Sequence, residues 1–210
     1  MTDPQRGVFV TIDGPGGVGK STVLEHVRSR LIADGIRVHA TTEPSHTPLG
    51  DLARHGTETY HGMALACLVA ADRYHHVRSE ITPQLDDGTV VLCDRYVGSS
   101  LVLQRLDGLS VDTVWALNRD ALVPDLSVIL DADPAVIRER LEARGAHSRF
   151  EKTPESVAKE PALFAEAATF LKEAGFRTLV IDCTSRTPEH TAGLVSAELA
   201  KLLTRGIRAD

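Results

Sequence analysis

The residues most able to do chemistry lie at positions 14–21, which read G-x-x-x-x-G-K-[ST]. This spacing is that of a P-loop, in which glycines let backbone N–H groups turn inward around phosphate oxygens and the following helix N-terminus adds positive charge. Lys20 at this spacing reaches the β- and γ-phosphates, and the Ser21 hydroxyl holds Mg²⁺. The motif predicts a nucleotide-phosphate site formed by Gly14, Gly17, Val18, Gly19, Lys20, Ser21 and Thr22.

A second reactive group, Asp94-Arg95-Tyr96, follows an apolar run at positions 89–93. In open α/β sheets, ligands bind outside the carboxyl ends of the strands, the same edge that carries the P-loop. A carboxylate there suits Mg²⁺ or proton handling, and an adjacent arginine suits a phosphate clamp. A plain structural ion pair is the alternative that the position alone leaves open.

Arginines occur in two further settings. Arg73 falls on an apolar row of a predicted helix over 60–81, so it is either ion-paired or placed for an anionic ligand. Arg138, Arg140, Arg144 and Arg149 crowd into twelve positions. These four are either solvated surface charges or, near a P-loop, a segment that neutralises charge during phosphoryl transfer.

The elements that must position these residues are strands alternating with helices. Apolar, β-branched runs predict strands, and four-residue apolar spacing predicts helices. The expected fold is α/β, a P-loop NTPase-type three-layer sandwich whose five-stranded parallel sheet is covered by helices on both faces. The predicted strands are 8–12, 36–42, 89–93, 126–130 and 178–181, and the main helices are 20–34, 60–81, 99–104, 111–122, 134–144, 155–174 and 188–203.

Composition narrows the classes of partner. The chain has 210 residues and a formal net charge of −6, which argues against a protein that binds a nucleic acid duplex. No apolar stretch resembles a signal peptide or spans a membrane. The three cysteines, Cys67, Cys93 and Cys183, are scattered and odd in number, so buried thiols in a reducing compartment, the cytoplasm, are expected.

P-loops serve switches, motors and kinases, so the loop alone does not choose among them. A GTPase is disfavoured because no guanine-reading Asn-Lys-x-Asp follows a late strand, and Asn118-Arg119-Asp120 falls inside a predicted helix. A motor ATPase is disfavoured by the short chain and by the absence of an acidic pair after an apolar strand.

Beyond the P-loop, a series of short motifs resembles the thymidylate kinase family in order and spacing. The series spans about residues 8–151, far more of the chain than the loop itself. It comprises Ala70-Ala71-Asp72-Arg73 with His76, Ile81-Thr82-Pro83, Gly88, Cys93-Asp94-Arg95-Tyr96 with Ser99-Ser100 and Gln104, Pro124-Asp125-Leu126, and Arg144-Gly145 with Ser148-Arg149-Phe150-Glu151.

The resemblance implies transfer of the ATP γ-phosphate to a nucleoside monophosphate, normally dTMP, with Mg²⁺. It also implies a homodimer and a lid, here about residues 142–155 of a single kinase domain over 1–210. By carry-over, Lys20, Asp94, Arg95 and the lid residue Arg149 are catalytic, with Arg144 behind Arg149 at the nucleotide and Ser21 and Asp94 at the metal. The acceptor site is implied to comprise Glu43, Val69, Arg73, Arg95, Ser99, Leu103 and Gln104.

Departures from the family pattern concentrate at the acceptor. Gly16 replaces an acidic residue of the P-loop, and Asp13-Gly14-Pro15 is more similar to the cytidylate kinase loop. The family's Arg-Glu-Pro-Gly-Gly reads Thr42-Glu43-Pro44-Ser45-His46, and two aromatic positions hold Val69 and Leu103. The resemblance makes dTMP the default acceptor. Stacking on a base contributes about 1–3 kcal/mol, so the loss of aromatic side chains weakens dTMP binding and motivates the alternative, a different nucleotide, nucleoside or nucleotide-like metabolite. A nucleotide-binding sensor without turnover is the third hypothesis.

Overall fold

The structure is a computed structural model that describes residues 6–145 and 149–206, the last two by backbone alone. Its centre is a five-stranded sheet in the order β2-β3-β1-β4-β5, and every neighbouring pair is parallel. Parallel neighbours require crossover connections, which the helices between successive strands supply. The strands are β1 Phe9–Asp13, β2 Val38–Thr42, β3 Val90–Asp94, β4 Leu126–Asp131 and β5 Thr178–Asp182.

Ten α-helices are found in the described residues, and the shortest of them, α8, covers Arg149–Lys152. A 3₁₀ turn, Gly56–Glu58, follows α2, and a wider π-helical segment, Val77–Ile81, joins α3 to α4. The helices are α1 Lys20–Ala33, α2 Pro48–His55, α3 Gly62–His76, α4 Thr82–Asp86, α5 Val97–Leu106, α6 Val111–Asn118, α7 Pro134–Arg144, α8 Arg149–Lys152, α9 Pro154–Glu173 and α10 Pro188–Gly206.

The sheet separates two apolar cores, because successive residues of a strand point to opposite faces. Val10 and Ile12 of β1 enter the core formed with α1, α7 and α10, while Phe9 enters the core formed with α5, α6 and α9. All five residues of β1 are buried. The three-layer α/β sandwich predicted from the sequence is therefore confirmed, and its central strand leads directly into the P-loop.

Some predicted boundaries were wrong. The helix predicted over 111–122 ends at Asn118, where Ala121 N–H bonds back to Asn118 O in a turn ahead of Pro124, so Asn118 is not in mid-helix. The helix predicted over 60–81 begins at Gly62 and passes into the π-helical segment after His76. A proline disfavours helical backbone in the residue before it, so Pro124 disfavours a helix through Val123, and the turn that joins Ala121 to Asn118 ends α6 before that point.

The lengths of the helices and the exposure of the cysteines bear on two further expectations. No helix within 6–145 or 149–206 has the length and apolar character needed to cross a membrane. Cys93 and Cys183 are buried free thiols as expected, but Cys67 is exposed because it lies on the outer side of α3. Part of the predicted lid segment, including Ser148 of the resembling motif, lies outside the described residues.

Candidate active site

The P-loop joins β1 to α1 and is fixed at Val18 and Gly19. Val18 is 2% exposed and packs into the core, which anchors the middle of the loop. Gly19 caps α1 with φ of +102°, in a region that side chains rarely adopt. The loop therefore leads into the N-terminus of α1, whose unpaired N–H groups favour an anion.

Lys20 is folded back along this loop. Its Nζ donates to Gly14 O at 2.9 Å and to Pro15 O at 2.8 Å, and the residue is 6% exposed. Burial first, and then the nearby Arg95, lower the pKa of Lys20 to about 7. An anionic phosphate in the loop would favour the charged form of this lysine.

Ser21 and Asp94 form the predicted metal pair. The Ser21 Oγ donates to Asp94 Oδ2 at 2.6 Å, so oxygens from α1 and from the end of β3 lie side by side. Asp94 Oδ1 is buried and has no hydrogen-bond partner among the described residues. Because Mg²⁺ takes oxygen ligands and an unpartnered buried carboxylate oxygen is otherwise costly, this pair fits a magnesium ion.

Asp13, at the carboxyl end of β1, fixes the backbone around Arg95. Its Oδ1 accepts from Tyr96 N–H at 2.8 Å, Ser99 N–H at 2.8 Å and Ser99 Oγ at 2.7 Å, which caps α5. Burial raises the pKa of Asp13, and these hydrogen bonds oppose the rise. Ser99, predicted as a substrate residue, is therefore also a structural partner of Asp13.

Arg95 has φ of +71° and is the only non-glycine residue with positive φ in the described parts of the chain. Left-handed backbone costs an L-residue roughly 1–2 kcal/mol, and such strain clusters at functional sites. Arg95 lines the same cavity as Lys20. The backbone strain thus coincides with the predicted clamp for the acceptor phosphate.

This strain gives a testable prediction for Arg95→Gly. We expect the free energy of unfolding to change by less than about 1 kcal/mol, since relief of strain offsets the flexibility that glycine adds. The KM for the acceptor should rise about tenfold to hundredfold, because a charged hydrogen-bonding partner of its phosphate is lost. Urea unfolding and steady-state kinetics measure both, with Arg95→Lys as the variant that keeps charge without the guanidinium fork. An unchanged acceptor KM in Arg95→Gly would contradict the clamp.

A cavity of about 650 Å³ is lined by the P-loop and by one side of α3 and of α5. Its lining includes the apolar side chains of Leu65, Val69 and Leu103. Gln104 is 4% exposed, and its Oε1 has no hydrogen-bond partner among the described residues. The lining of the cavity therefore combines anion-binding groups, apolar side chains and an unused polar group.

Arg73 also lines this cavity and is held by three partners. It is 1% exposed; its Nε donates to Glu43 Oε2 at 2.7 Å, its Nη2 to Ser100 Oγ at 3.0 Å, and its Nη1 to Asn118 Oδ1. Its guanidinium also lies 5.0 Å from the centre of the Tyr96 ring. Of the two alternatives for this arginine, the structure shows the ion pair, and the residue still borders the cavity.

The two lid arginines occupy different places. Arg144 lines the cavity, and its Nη2 pairs with Glu151 Oε2 at 2.7 Å. Arg149, predicted to lie ahead of Arg144, is not among the lining residues; it pairs with Asp107 Oδ1 at 2.7 Å and stacks 4.4 Å over Phe150. Of the two, Arg144 is therefore the arginine that borders the cavity in this structure.

Most predicted site residues meet in this one cavity, namely Gly17, Gly19, Lys20, Ser21, Thr22, Glu43, Val69, Arg73, Asp94, Arg95, Ser99, Leu103, Gln104 and Arg144. Gly14 and Val18 belong to the loop but do not line it. Sequence reasoning missed Asp13, Arg54, Asn118, Phe150 and Glu160 at or beside the site. Only Glu160 carried a usable signal, since an acid there falls on the apolar stripe of Phe164, Ala167 and Leu171.

Comparison with known proteins identifies the family. The sequence model of the family "Thymidylate kinase" matches residues 12–189. The chain is 37% identical over 205 residues to a probable thymidylate kinase of Pyrobaculum aerophilum, covering 95% of this chain and 98% of the relative. It is also 37% identical over 216 residues to a thymidylate kinase of Clavibacter michiganensis subsp. michiganensis, covering 97% and 99%, and 40% identical over 160 residues to one of a Bradyrhizobium species, covering 70% and 71%. The chain therefore belongs to the thymidylate kinase family, a family of nucleoside monophosphate kinases.

Proposed function

We propose that this chain transfers the γ-phosphate of ATP to dTMP, giving dTDP and ADP, with Mg²⁺. The observation that carries the proposal is that one cavity is lined by Lys20, the Ser21–Asp94 pair and Arg95. Apolar side chains and the polar groups of Arg73 and Gln104 line the same cavity. The cavity therefore offers cationic and metal-binding groups for the donor and acceptor phosphates, and apolar side chains for the base. The family relation supports the same reaction.

The polar groups of Arg73 and Gln104 favour a thymine or uracil base. A guanidinium has five N–H donors, and Arg73 uses three of them on Glu43, Ser100 and Asn118, which leaves two. Gln104 Oε1 is an unused acceptor in the same cavity. Gln104 lies one turn after Ser100 on α5, and Ser100 accepts from Arg73, so a donor and an acceptor are offered by the same part of the cavity lining. This combination complements the O4 and N3–H of thymine and uracil, whereas cytosine presents an amino group and an unprotonated N3 at those positions.

The chain's residues then divide the work of transfer. Lys20 and the P-loop N–H groups bind the donor phosphates, Arg95 orients the acceptor phosphate, and Arg144 places a third positive charge at the cavity. Mg²⁺, held by Ser21 and Asp94, supplies charge neutralisation to the phosphate oxygens when bound. Phe150 and Glu151 cover the cavity from the lid and limit access of water, which would otherwise hydrolyse ATP.

The chain acts as one kinase domain over 1–210. Its lid, at about 142–155, carries both Arg144 and Arg149. Its place of work is the cytoplasm.

The protein works as a homodimer. The helices α2 and α3 expose the apolar side chains of Leu52, Met63 and Tyr74, which a second copy of this chain would cover. A molar mass of twice the chain mass in light scattering is the expected result, and a monomer at assay concentration would contradict the dimer.

The experiment that tests the proposed function is ADP release from ATP-Mg²⁺ against a panel of acceptors. We expect turnover with dTMP and measurable turnover with dUMP, because both bases present the complementary edge. We expect kcat/KM for dCMP to be about tenfold to hundredfold below that for dUMP, since a mismatched polar edge costs roughly 1–3 kcal/mol. Equal rates with dCMP and dUMP would contradict the role of Arg73 and Gln104.

The panel also decides between the proposal and its alternative. Val69 and Leu103 line the cavity with aliphatic side chains where family members carry aromatic ones, which favours a kinase with a different acceptor if dTMP fails. Nucleoside monophosphates of the other bases and the matching nucleosides therefore belong in the panel. Binding of ATP without transfer to any of them would support a sensor instead.

A further inference from the structure

Glu160 is a buried carboxylate that the mechanism above does not use. It lies in α9 and is 3% exposed. It shares one helix face with Phe164, Ala167 and Leu171, where an apolar side chain is expected. A charged group is retained on a buried face only where partners satisfy it, so its contacts indicate its role.

Its direct partner belongs to the P-loop. Glu160 Oε2 accepts a hydrogen bond from Gly16 N–H at 2.7 Å, across 144 positions of sequence. Burial raises the pKa of Glu160, the Gly16 hydrogen bond and the positive charges of Arg95 and Lys20 oppose the rise, and the negative charge of Glu151 adds to it. Glu160 therefore lies beside the loop and within electrostatic reach of the two cations assigned to the donor and acceptor phosphates.

The side chain of Glu151 in α8 also lies against Gly16. A Cβ at position 16 would lie 2.7 Å from Glu151 Oε1 and 2.9 Å from its Cγ, so a larger residue there would require the Glu151 side chain to move. Glu151 in turn pairs with Arg144 at the cavity. Gly16 thus lies next to side chains of both α8 and α9.

We propose that Glu160 is a positioning residue that fixes the P-loop through the Gly16 N–H. The bond orients the first half of the loop, so that the N–H groups of Gly17 to Ser21 point at the nucleotide phosphates. A hydrogen bond from a backbone N–H to a charged acceptor is among the stronger ones in proteins, and a displacement of about 1 Å at such a site lowers rates by up to about a hundredfold.

Two variants of Glu160 separate this bond from the charge. Glu160→Gln and Glu160→Met remove the same negative charge and have similar length, but only glutamine keeps an oxygen that accepts from Gly16 N–H. The probe is the non-hydrolysable ATP analogue adenylyl imidodiphosphate with Mg²⁺, and calorimetry gives its Kd. Steady-state kinetics with dTMP give kcat and KM, and thermal melting shows that both variants are folded at the assay temperature.

We expect the Kd of Glu160→Met to be about fivefold or more above that of Glu160→Gln, because loss of a hydrogen bond of this kind weakens binding by about that factor. The kcat of Glu160→Met should fall about tenfold or more below that of Glu160→Gln, with the KM for dTMP the same within about twofold. Glu166→Gln, an exposed carboxylate of the same helix, is the control and should match wild type. Equal Kd values for Glu160→Gln and Glu160→Met would overturn the proposal.

The kinetic part of this inference rests on the proposed function, and the affinity part does not. Wild-type protein without turnover on dTMP would refute the proposed acceptor, while the difference in Kd between the two Glu160 variants would still test the role of the Gly16 bond. A wild-type enzyme that is active, with both Glu160 variants equally active, would refute the positioning role alone.

Discussion

Replacing Lys20 with methionine is expected to lower kcat by about a hundredfold to a thousandfold. Lys20 lies at the base of the cavity, and its Nζ is held within 3 Å of two P-loop carbonyl oxygens, Gly14 O and Pro15 O. Removing one preorganised group that stabilises charge in a transition state typically lowers kcat by factors of this size. Measuring kcat with saturating ATP and dTMP tests the expectation.

The fold should not suffer from this change. Burial and Arg95 lower the pKa of Lys20 to about 7, which means that the folded protein disfavours its charge. Methionine retains most of the length and apolar area of the side chain, so we expect a melting temperature at or above that of wild type. Arg28→Met removes a cation from the solvent side of the same helix, where the side chain is 41% exposed, and serves as the matched control with normal kcat. A Lys20→Met enzyme with wild-type kcat/KM would refute the P-loop assignment.

The P-loop half of the site was predictable because its information is local. Eight consecutive positions specify the loop, and the strand before it and the helix after it have clear periodicities. Most of the sheet was predictable for the same reason, since β1, β3, β4 and β5 are short, largely apolar runs, whereas the edge strand β2 reads Val-His-Ala-Thr-Thr. The Ser21–Asp94 pair followed from one topological rule, that parallel strands deliver their carboxyl ends to one edge.

The remainder depends on distant contacts that compete with one another. Arg149 was predicted to swing in over the transferring group, and in this structure it pairs at 2.7 Å with Asp107, which follows α5, a contact that the sequence does not indicate. Asn118 was dismissed as part of a poor guanine motif, yet tertiary packing makes it a partner of Arg73. Periodicity predicts that a residue is buried; it does not predict which distant element it meets.

The buried pair of Glu43 and Arg73 gives the largest expected effect on stability. Glu43→Gln keeps the size of the side chain but leaves the guanidinium of Arg73, 1% exposed, without its anionic partner. Breaking a buried ion pair in this way typically destabilises a protein by about 3–5 kcal/mol. We expect a loss of that order in the free energy of unfolding by urea, together with a raised KM for dTMP, because Arg73 is no longer held at the cavity.

A surface ion pair provides the control for this experiment. Glu58 and Lys152 are joined at 2.8 Å, but their side chains are 62% and 61% exposed. Exposed pairs contribute about 0–1 kcal/mol, so Glu58→Gln should leave the unfolding free energy almost unchanged. A similar loss in Glu43→Gln and Glu58→Gln would show that burial of the Arg73 pair has no special weight.

The same pair also determines a pH dependence through His76, whose Nδ1 lies 3.2 Å from Glu43 Oε1. Burial lowers the pKa of His76, but the hydrogen bond and charge of Glu43, with the charges of Glu80 and Asp72, raise it overall above 6.5. A histidine whose folded pKa is raised adds stability that is fully present below pH 6.5 and is lost as pH rises through the folded pKa. The stability difference between wild type and Glu43→Gln should therefore shrink as pH rises past that point, and urea unfolding of both proteins between pH 5.5 and pH 8.5, in steps of about half a unit, measures it. A constant difference across this range would show that Glu43 acts on Arg73 alone.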